Sequence, residues 1–528
     1  RNTNGEWKRD GVGEYDYVHN SAHVLSFWEQ RVKEVAGLDN LYTLGMRGVH
    51  DGAMNGAKTI EEQKAVLTKV LRDQRDLLTK YVNKDVTQVP QVFIPYKEVL
   101  DVYHAGLQVP DEVTLMWCDD NYGYIRHFPT AEERARKGGN GVYYHVSYWG
   151  RPHDYLWLGT AHPSLVYQQM SLAYERGIQK MWILNVGDIK PAEYQVELFL
   201  DMAWNLEEVK QQGIAAHQRH FLEREFGKNR ADRLQPVMQE AYRLAYIRKP
   251  EFMGNTRTEE KDPKFKVISD LPWCEQEINE RLAAYRQLSD KVEQEWHALP
   301  AQKKETYFQL VKYPVQAAAQ MNNKLLTAQL ARHGKADWAD SDRAYDSIVS
   351  LTKTYNTTKW NRMMDFQPRR LLVFNRVERK ALSSGLLEKP QAVYTWNGAD
   401  CVEGASVICE GLGYEGKAVA VEKKKELTFE FAAWETDSVE VEVRLLPNHP
   451  VEGERLRFTI SLDGSATEAV SYETKGRSEE WKENVLCNQA VRRMILPVAR
   501  KASHRLIFTA LDEGVVLDQI CLYMPRIK

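Results

Sequence analysis

What this chain lacks narrows it first. No run of about eighteen apolar residues occurs in its 528 residues, so no membrane-spanning helix is expected. The six cysteines (Cys118, Cys274, Cys401, Cys409, Cys487 and Cys521) form no C-x-x-C pair and have no histidine ladder nearby. That removes zinc sites and a disulfide framework, and leaves free, mostly buried thiols. There is no G-x-G-x-x-G, P-loop, G-x-S-x-G or H-E-x-x-H pattern, so nucleotide-binding, serine-esterase and zinc-protease readings lose support. A dominant charge is missing too: 71 Lys and Arg stand against 74 Asp and Glu, for a net charge of -3, which gives no overall pull towards nucleic acid or an anionic membrane. Asn121-Tyr122-Gly123-Tyr124 lacks the regular oxygen ligands of a calcium loop, and we expect neither metal nor cofactor. The chain opens at Arg1 without a methionine or a charged-then-apolar leader, which fits a removed signal peptide or a fragment.

What is present is a repeated arrangement. Strands are expected near 41–46, 91–95, 113–118, 142–147 and 180–185, and each runs into a polar and aromatic cluster. Helical stretches intervene: Ile60 to Val82, Pro163 to Arg176, and Pro191 to Trp204. Alternation of this kind means βαβ units and a parallel sheet, and in a β/α barrel the chemistry gathers at the carboxyl ends of the strands. Five such units fall short of the eight that close a barrel, so about three strands are expected upstream of Arg1 or in unrecognised segments. From 206 to 385 long charged helices follow, among them Leu206 to Phe226, Arg230 to Arg248, and one kinked at Pro314 and stopped at Gly334. After Pro390 the helical pattern gives way to alternating segments such as Glu426–Phe431, Val439–Leu445, Leu456–Leu462 and Arg505–Thr509. The expected fold is therefore multidomain α/β: the C-terminal part of a TIM-like β/α barrel (1–205), a helical domain (206–385) that offers a surface for a homodimer, and a β-sandwich (386–528).

The strand exits supply the candidate residues. Glu98 follows the buried run Val92-Phe93-Ile94-Pro95-Tyr96; it either faces the mouth as a general acid, its proton held by burial among aromatics, or caps the next helix or pairs with Lys97. Tyr96 shares its face if the strand continues that far. Tyr143 and His145 point inward when Val142, Tyr144 and Val146 pack on the helices, and His145, a core histidine or a ligand contact, has Tyr148 and Trp149 at the same mouth. Asp119 and Asp120 must diverge, so one at most faces the substrate while the other fixes the loop through backbone N–H groups. Arg47, His50 and Asp51 sit among Gly45, Gly48 and Gly52; Arg47 grips the carboxylate of an acidic sugar with two parallel hydrogen bonds, or bridges a neighbouring aspartate. Asn185 orients a sugar hydroxyl or a water, whereas Asp188 and Lys190 read as the loop and cap chemistry before Pro191. Fourteen tryptophans and 26 tyrosines suit either a sugar-binding surface or a core.

Three long strings carry a resemblance: Trp117-Cys118-Asp119-Asp120-Asn121-Tyr122-Gly123-Tyr124, Tyr144-His145-Val146-Ser147-Tyr148-Trp149-Gly150, and Trp182-Ile183-Leu184-Asn185-Val186-Gly187-Asp188-Ile189-Lys190-Pro191. The chain resembles glycoside hydrolase family 115 over essentially its whole length, including Leu456–Gly464. The resemblance implies an α-glucuronidase that removes glucuronic acid or its 4-O-methyl ether from glucuronoxylan with inversion. It also implies Glu98 as the acid beside Tyr96, with Arg47, Asn121, Tyr143, His145, Tyr148 and Asn185 in the substrate pocket. Inversion needs a second carboxylate about 6.5–9.5 Å from the acid, and Asp51, Asp119 and Asp120 are the candidates. The loop Val49-His50-Asp51-Gly52 is less acidic than expected of the family, and the family's N-terminal domain and first barrel strands are not seen. A polysaccharide substrate implies a periplasmic or extracellular location. A non-catalytic acidic-glycan-binding protein and a glycosidase for another uronic-acid glycan remain as alternatives.

Overall fold

The five apolar runs become the five strands of one sheet. The computed structural model describes residues 3–49, 52–380, 388–404 and 406–525. In it β1 (Tyr42–Leu44), β2 (Gln91–Phe93), β3 (Thr114–Cys118), β4 (Asn140–His145) and β5 (Met181–Asn185) lie side by side in sequence order. Leu44 pairs with Phe93, Phe93 with Leu115, and Cys118 with Tyr143, all in parallel register. The amide of Lys180 donates to Asn140 O at 2.8 Å and that of Val146 to Asn185 O at 3.2 Å, which carries the same direction into β5. A parallel order puts every strand exit on one edge of the sheet. All five residues of β3 are buried, the mark of a strand covered on both faces, and this is why its signal was a continuous apolar run with no alternation. The strands are shorter than the apolar runs: β2 stops at Phe93, so Tyr96 and Glu98 are not on a strand.

The chain divides into two compact units, one made of Arg1–Asp120, Ile125–Tyr144 and Leu172–Ile183, the other of Asn121–Tyr124, His145–Ser171 and Leu184–Lys528. In the first, the helix Ile60–Tyr81 starts at a capping box, with Thr59 accepting from the Glu62 amide and Glu62 reaching back, and buries Leu67, Val70, Leu71, Leu77 and Leu78.

The second unit holds the long helices. The stretch read as one helix from Leu206 to Phe226 is two, Glu193–Gln212 and Ile214–Phe226, because Gly213 takes φ 76° and breaks the helix. Helix Lys228–Ile247 carries Pro236 inside it. Ahead of Pro314 the helix Ala301–Tyr307 widens into a π-turn, Phe308–Lys312, before Tyr313–Arg332; proline has no N–H to donate, so the wider turn absorbs the lost bond. Further on, two antiparallel sheets form. One is built on Val516–Tyr523, which pairs with Ser438–Leu445, Lys417–Ala420 and Tyr394–Asn397. The other runs from Glu426–Ala432 through Ser503–Ala510 to Arg457–Leu462. Strict alternation of buried residues in Arg457–Leu462 and Ser503–Ala510 sends one set of side chains into a common apolar cluster with Val441, Val443 and Ile520 of the first sheet. One expectation fails here: a helix, Glu479–Cys487, follows Pro390 after all, capped by Ser478 and burying Trp481, Val485 and Leu486. Its signal was the Ser-Glu-Glu run of a helix start, hidden between strand patterns.

Candidate functional site

In the first unit the exits of β1 and β2 build a single charged knot. After β1 the side-chain amide of Gln74 both accepts from the Gly45 N–H (2.8 Å) and donates to the Gly45 carbonyl (3.1 Å), which pins the start of the loop to the long helix. A Cβ on Gly48 would stand 2.3 Å from the Ala53 carbonyl, so only glycine lets the loop close as it does. Arg47, held between these points, donates from Nε to Glu98 Oε1 at 2.9 Å and from Nη2 to Oε2 at 3.0 Å. Its guanidinium lies 5.0 Å from the centre of the Tyr96 ring. Glu98 is the first residue of the helix Glu98–His104, and the residue before it, Lys97, has φ 52°, a strained left-handed backbone that aims the carboxylate. Glu98 is thus one partner of this arginine, and Tyr96 meets Glu98 through Arg47 because no strand continues to carry both. Side-chain exposures of 17% and 19% leave both members of the pair within reach of a ligand.

At the exit of β3, Asp119 and Asp120 are both buried. Asp119 bridges to Ile125, and the Arg126 amide donates to Cys118 O, so the intervening residues form a tight excursion. Burial first, then the charges of Asp119 and Asp120, push the Tyr144 hydroxyl well above its ordinary value; burial and Asp119 do the same to the Cys118 thiol. Tyr143, in register with Cys118, is partly exposed, while Val142, Tyr144 and His145 are buried. His50 and Asp51 lie outside the described residues.

In the second unit the remaining candidates meet through aromatic rings. His145 and Tyr148 are edge-to-face at 5.7 Å, and Tyr148 is edge-to-face with Tyr122 at 5.9 Å. The Tyr155 amide donates to Tyr148 O at 3.0 Å and its hydroxyl to Asn121 O at 2.5 Å, so one tyrosine ties Asn121 to Tyr148. Asn121 takes φ 74°, which asparagine tolerates better than most residues. Asn185 reaches the same strand exit through its carbonyl, which accepts from Val146, and Ser147 Oγ accepts from the Gly187 amide at 2.5 Å. A Cβ on Gly150 would fall 2.4 Å from the Tyr148 hydroxyl, so Tyr148 owes its position to that glycine. Behind this loop lies a buried pair that sequence reasoning missed: Lys249 donates to Thr160 O at 2.8 Å, and Glu251 accepts from the Trp157 amide at 3.3 Å. Burial raises Glu251 and lowers Lys249. Tyr155, Lys249 and Glu251 carried no local signal, because their role is to brace a loop far away in sequence. Among the described residues no three His, Cys, Asp or Glu side chains group as a metal site would require.

Comparison with known proteins bears on these groups. The family model "Glycosyl hydrolase family 115" matches residues 1–252, and "Glycosyl hydrolase family 115 C-terminal domain" matches 405–528. A solved structure of a family GH115 4-O-methyl-α-glucuronidase, described as having specificity for decorated arabinogalactans, is 68% identical and covers 99% of this chain and 70% of its own, with a TM-score of 0.98. This chain belongs to glycosyl hydrolase family 115. A family 35 carbohydrate binding module from an environmental isolate matches 25% of this chain and 93% of its own at 11% identity and a TM-score of 0.21. A likeness that low carries no weight. A comparison with curated proteins finds no match.

Proposed function

We propose that this family 115 protein is an inverting α-glucuronidase that releases 4-O-methylglucuronic acid from a decorated arabinogalactan. The 68% identity to an enzyme described with that specificity carries the choice of substrate. Glucuronoxylan, expected from the sequence, is the competing polymer. Either substrate is a polysaccharide and puts the work in the periplasm or outside the cell. Architecturally, we read the five parallel strands as the C-terminal part of a β/α barrel (1–205), the helices of 206–385 as one domain, and 386–528 as a β-sandwich. The common apolar cluster of the two antiparallel sheets supports the last of these.

The Arg47–Glu98 pair supports the catalytic reading. A guanidinium fork that fits one carboxylate fits another, so the uronate of the substrate competes for Arg47. With Arg47 turned to the sugar, the carboxyl proton of Glu98 passes to the leaving glycosidic oxygen while the base takes one from the attacking water. Tyr96 keeps the guanidinium in place through the exchange. A water activated by Asp51, Asp119 or Asp120 attacks the opposite face of the sugar, as inversion requires. Tyr143 in the first unit and Asn121, His145, Tyr148 and Asn185 in the second are the residues that the family resemblance offers for contacts with the uronyl group. Incubating the protein with each polymer and measuring free uronic acid tests the proposal. Release from decorated arabinogalactan is expected; release from glucuronoxylan alone overturns the substrate, and release from neither overturns the activity. Glu98→Gln should then lower kcat by about 10²–10⁴-fold with the fold unchanged by circular dichroism.

A further inference from the structure

The loop leaving β4 carries an exposed tryptophan in an unusually firm mount. Trp149 follows Tyr148 and is 63% exposed. The guanidinium of Arg369 sits 3.9 Å from the centre of its ring and covers one face. Arg369 is fixed in turn by an ion pair with Asp154, whose side chain is only 2% exposed. Asp154 Oδ1 accepts from the Gly150 N–H at 2.7 Å, and the Asp154 amide donates to Thr258 Oγ1 at 3.3 Å. Tryptophan, arginine, aspartate and the next glycine thus close a ring of contacts around one indole.

The segment that supplies Arg369 belongs to the helical stretch and reaches two strand exits. Arg369 meets the loop after β4, while Trp360 meets the loop after β5, where Lys190 stands 4.0 Å from the centre of its ring. Arg362, Arg369 and Arg370 have φ of 58°, 52° and 55°, and Glu259, 4.0 Å from Arg369, has 56°. Left-handed backbone at residues other than glycine persists only where the surroundings over-determine it, and it gathers at ligand clamps.

We propose that the open face of Trp149, braced by Arg369, is a stacking platform for a neutral sugar of the polysaccharide backbone that bears the uronyl group. The proposal rests on the α-glucuronidase reading and deepens it. The ligand is neutral because the charge of Arg369 is already met by a buried aspartate, which leaves a flat aromatic face rather than a free cation. It is a backbone sugar because Trp149 stands one residue beyond Tyr148 and four beyond His145, the groups assigned to the uronyl ring. An arginine-stacked indole is rigid, so little side-chain freedom is lost when a sugar lies on it.

Full-length protein is assayed on the decorated polymer and on an aryl 4-O-methyl-α-glucuronide, which has the uronyl group and no backbone. Trp149→Ala should lower the polymer-to-aryl ratio of kcat/KM about tenfold, mainly through KM. Trp149→Phe should restore part of it, and Arg369→Ala should lower it less than Trp149→Ala does. An unchanged ratio overturns the platform, and so does an equal loss on both substrates. If the wild type turns over neither substrate, the α-glucuronidase reading fails on its own. The platform is then judged by retardation in a native gel cast with the polymer: faster migration of Trp149→Ala supports it, and migration equal to wild type overturns it.

Discussion

Two trios in this protein use the same three parts and do different work. Arg47, Glu98 and Tyr96 form one; Arg369, Asp154 and Trp149 form the other. In each, a guanidinium grips a carboxylate and lies over an aromatic ring. They differ in which member is open. Arg47 and Glu98 are similarly accessible, at 17% and 19%, so a ligand can take either partner. Asp154 is 2% exposed, so its carboxylate is out of a ligand's reach, while Arg369, at 27%, is tied to it and Trp149, at 63%, is the most open member. On the function proposed above, burial of the carboxylate separates a pair that exchanges during the reaction from one that acts as a fixed mount.

The sharpest way to break this comparison is to make the same conservative change in both arginines. Arg47→Lys keeps the charge and loses the fork, so kcat/KM should fall about 10²-fold on polymer and aryl substrate alike. Arg369→Lys should leave the aryl substrate within about threefold of wild type and weaken only the polymer, because what it loses is planar stacking. Equal behaviour of the two variants would show that the pairs do not differ in kind. A smaller effect is structural: Asp154→Asn should leave urea unfolding at pH 7 within about 1 kcal/mol of wild type, because burial already disfavours the ionised carboxyl, and Glu98→Gln should cost about 1 kcal/mol or less.

The contrast also marks what could be read from sequence. Strand positions were legible because continuous apolar runs such as Val113–Trp117 can only be buried strands or helix pieces, and flanking glycines and aromatics decided between them. The polar residues at their exits were legible as a class for the same reason. Pairings were not: Arg47 and Glu98 are 51 residues apart, and nothing local distinguishes a glutamate from a neighbouring aspartate as a partner. Arg369 and Asp154 are 215 apart and come from stretches read as different domains. Gly213 was visible in sequence, but whether a glycine interrupts a helix depends on the backbone conformation it adopts, which composition does not carry. The helix Glu479–Cys487 was missed because nine residues give about two and a half turns, too short a period to stand out among strands.

The smallest effect, and the one that tests the closed trio most directly, lies in pH. Burial pushes the Asp154 carboxyl up to about 6 from 3.8, against the pull of Arg369 and of the Gly150 N–H, with Glu259 adding to the rise. His153 beside it is held down to about 4 by burial, and so stays neutral through the window concerned. Because the native carboxyl binds its proton more tightly than the unfolded chain does, its contribution to stability is full below about pH 4 and is lost as pH rises through about 6. The mount has the opposite sign: only ionised Asp154 gives Arg369 its charged partner, so Trp149 is held firmly above about pH 6 and loosely below. Between pH 7 and pH 5, chosen to straddle that value, the polymer-to-aryl ratio of kcat/KM should therefore fall about two- to threefold in the wild type and stay flat in Trp149→Ala. A ratio that falls equally in both would place the pH effect outside the Trp149 mount, because a change at the open trio acts on both substrates and cancels in the ratio.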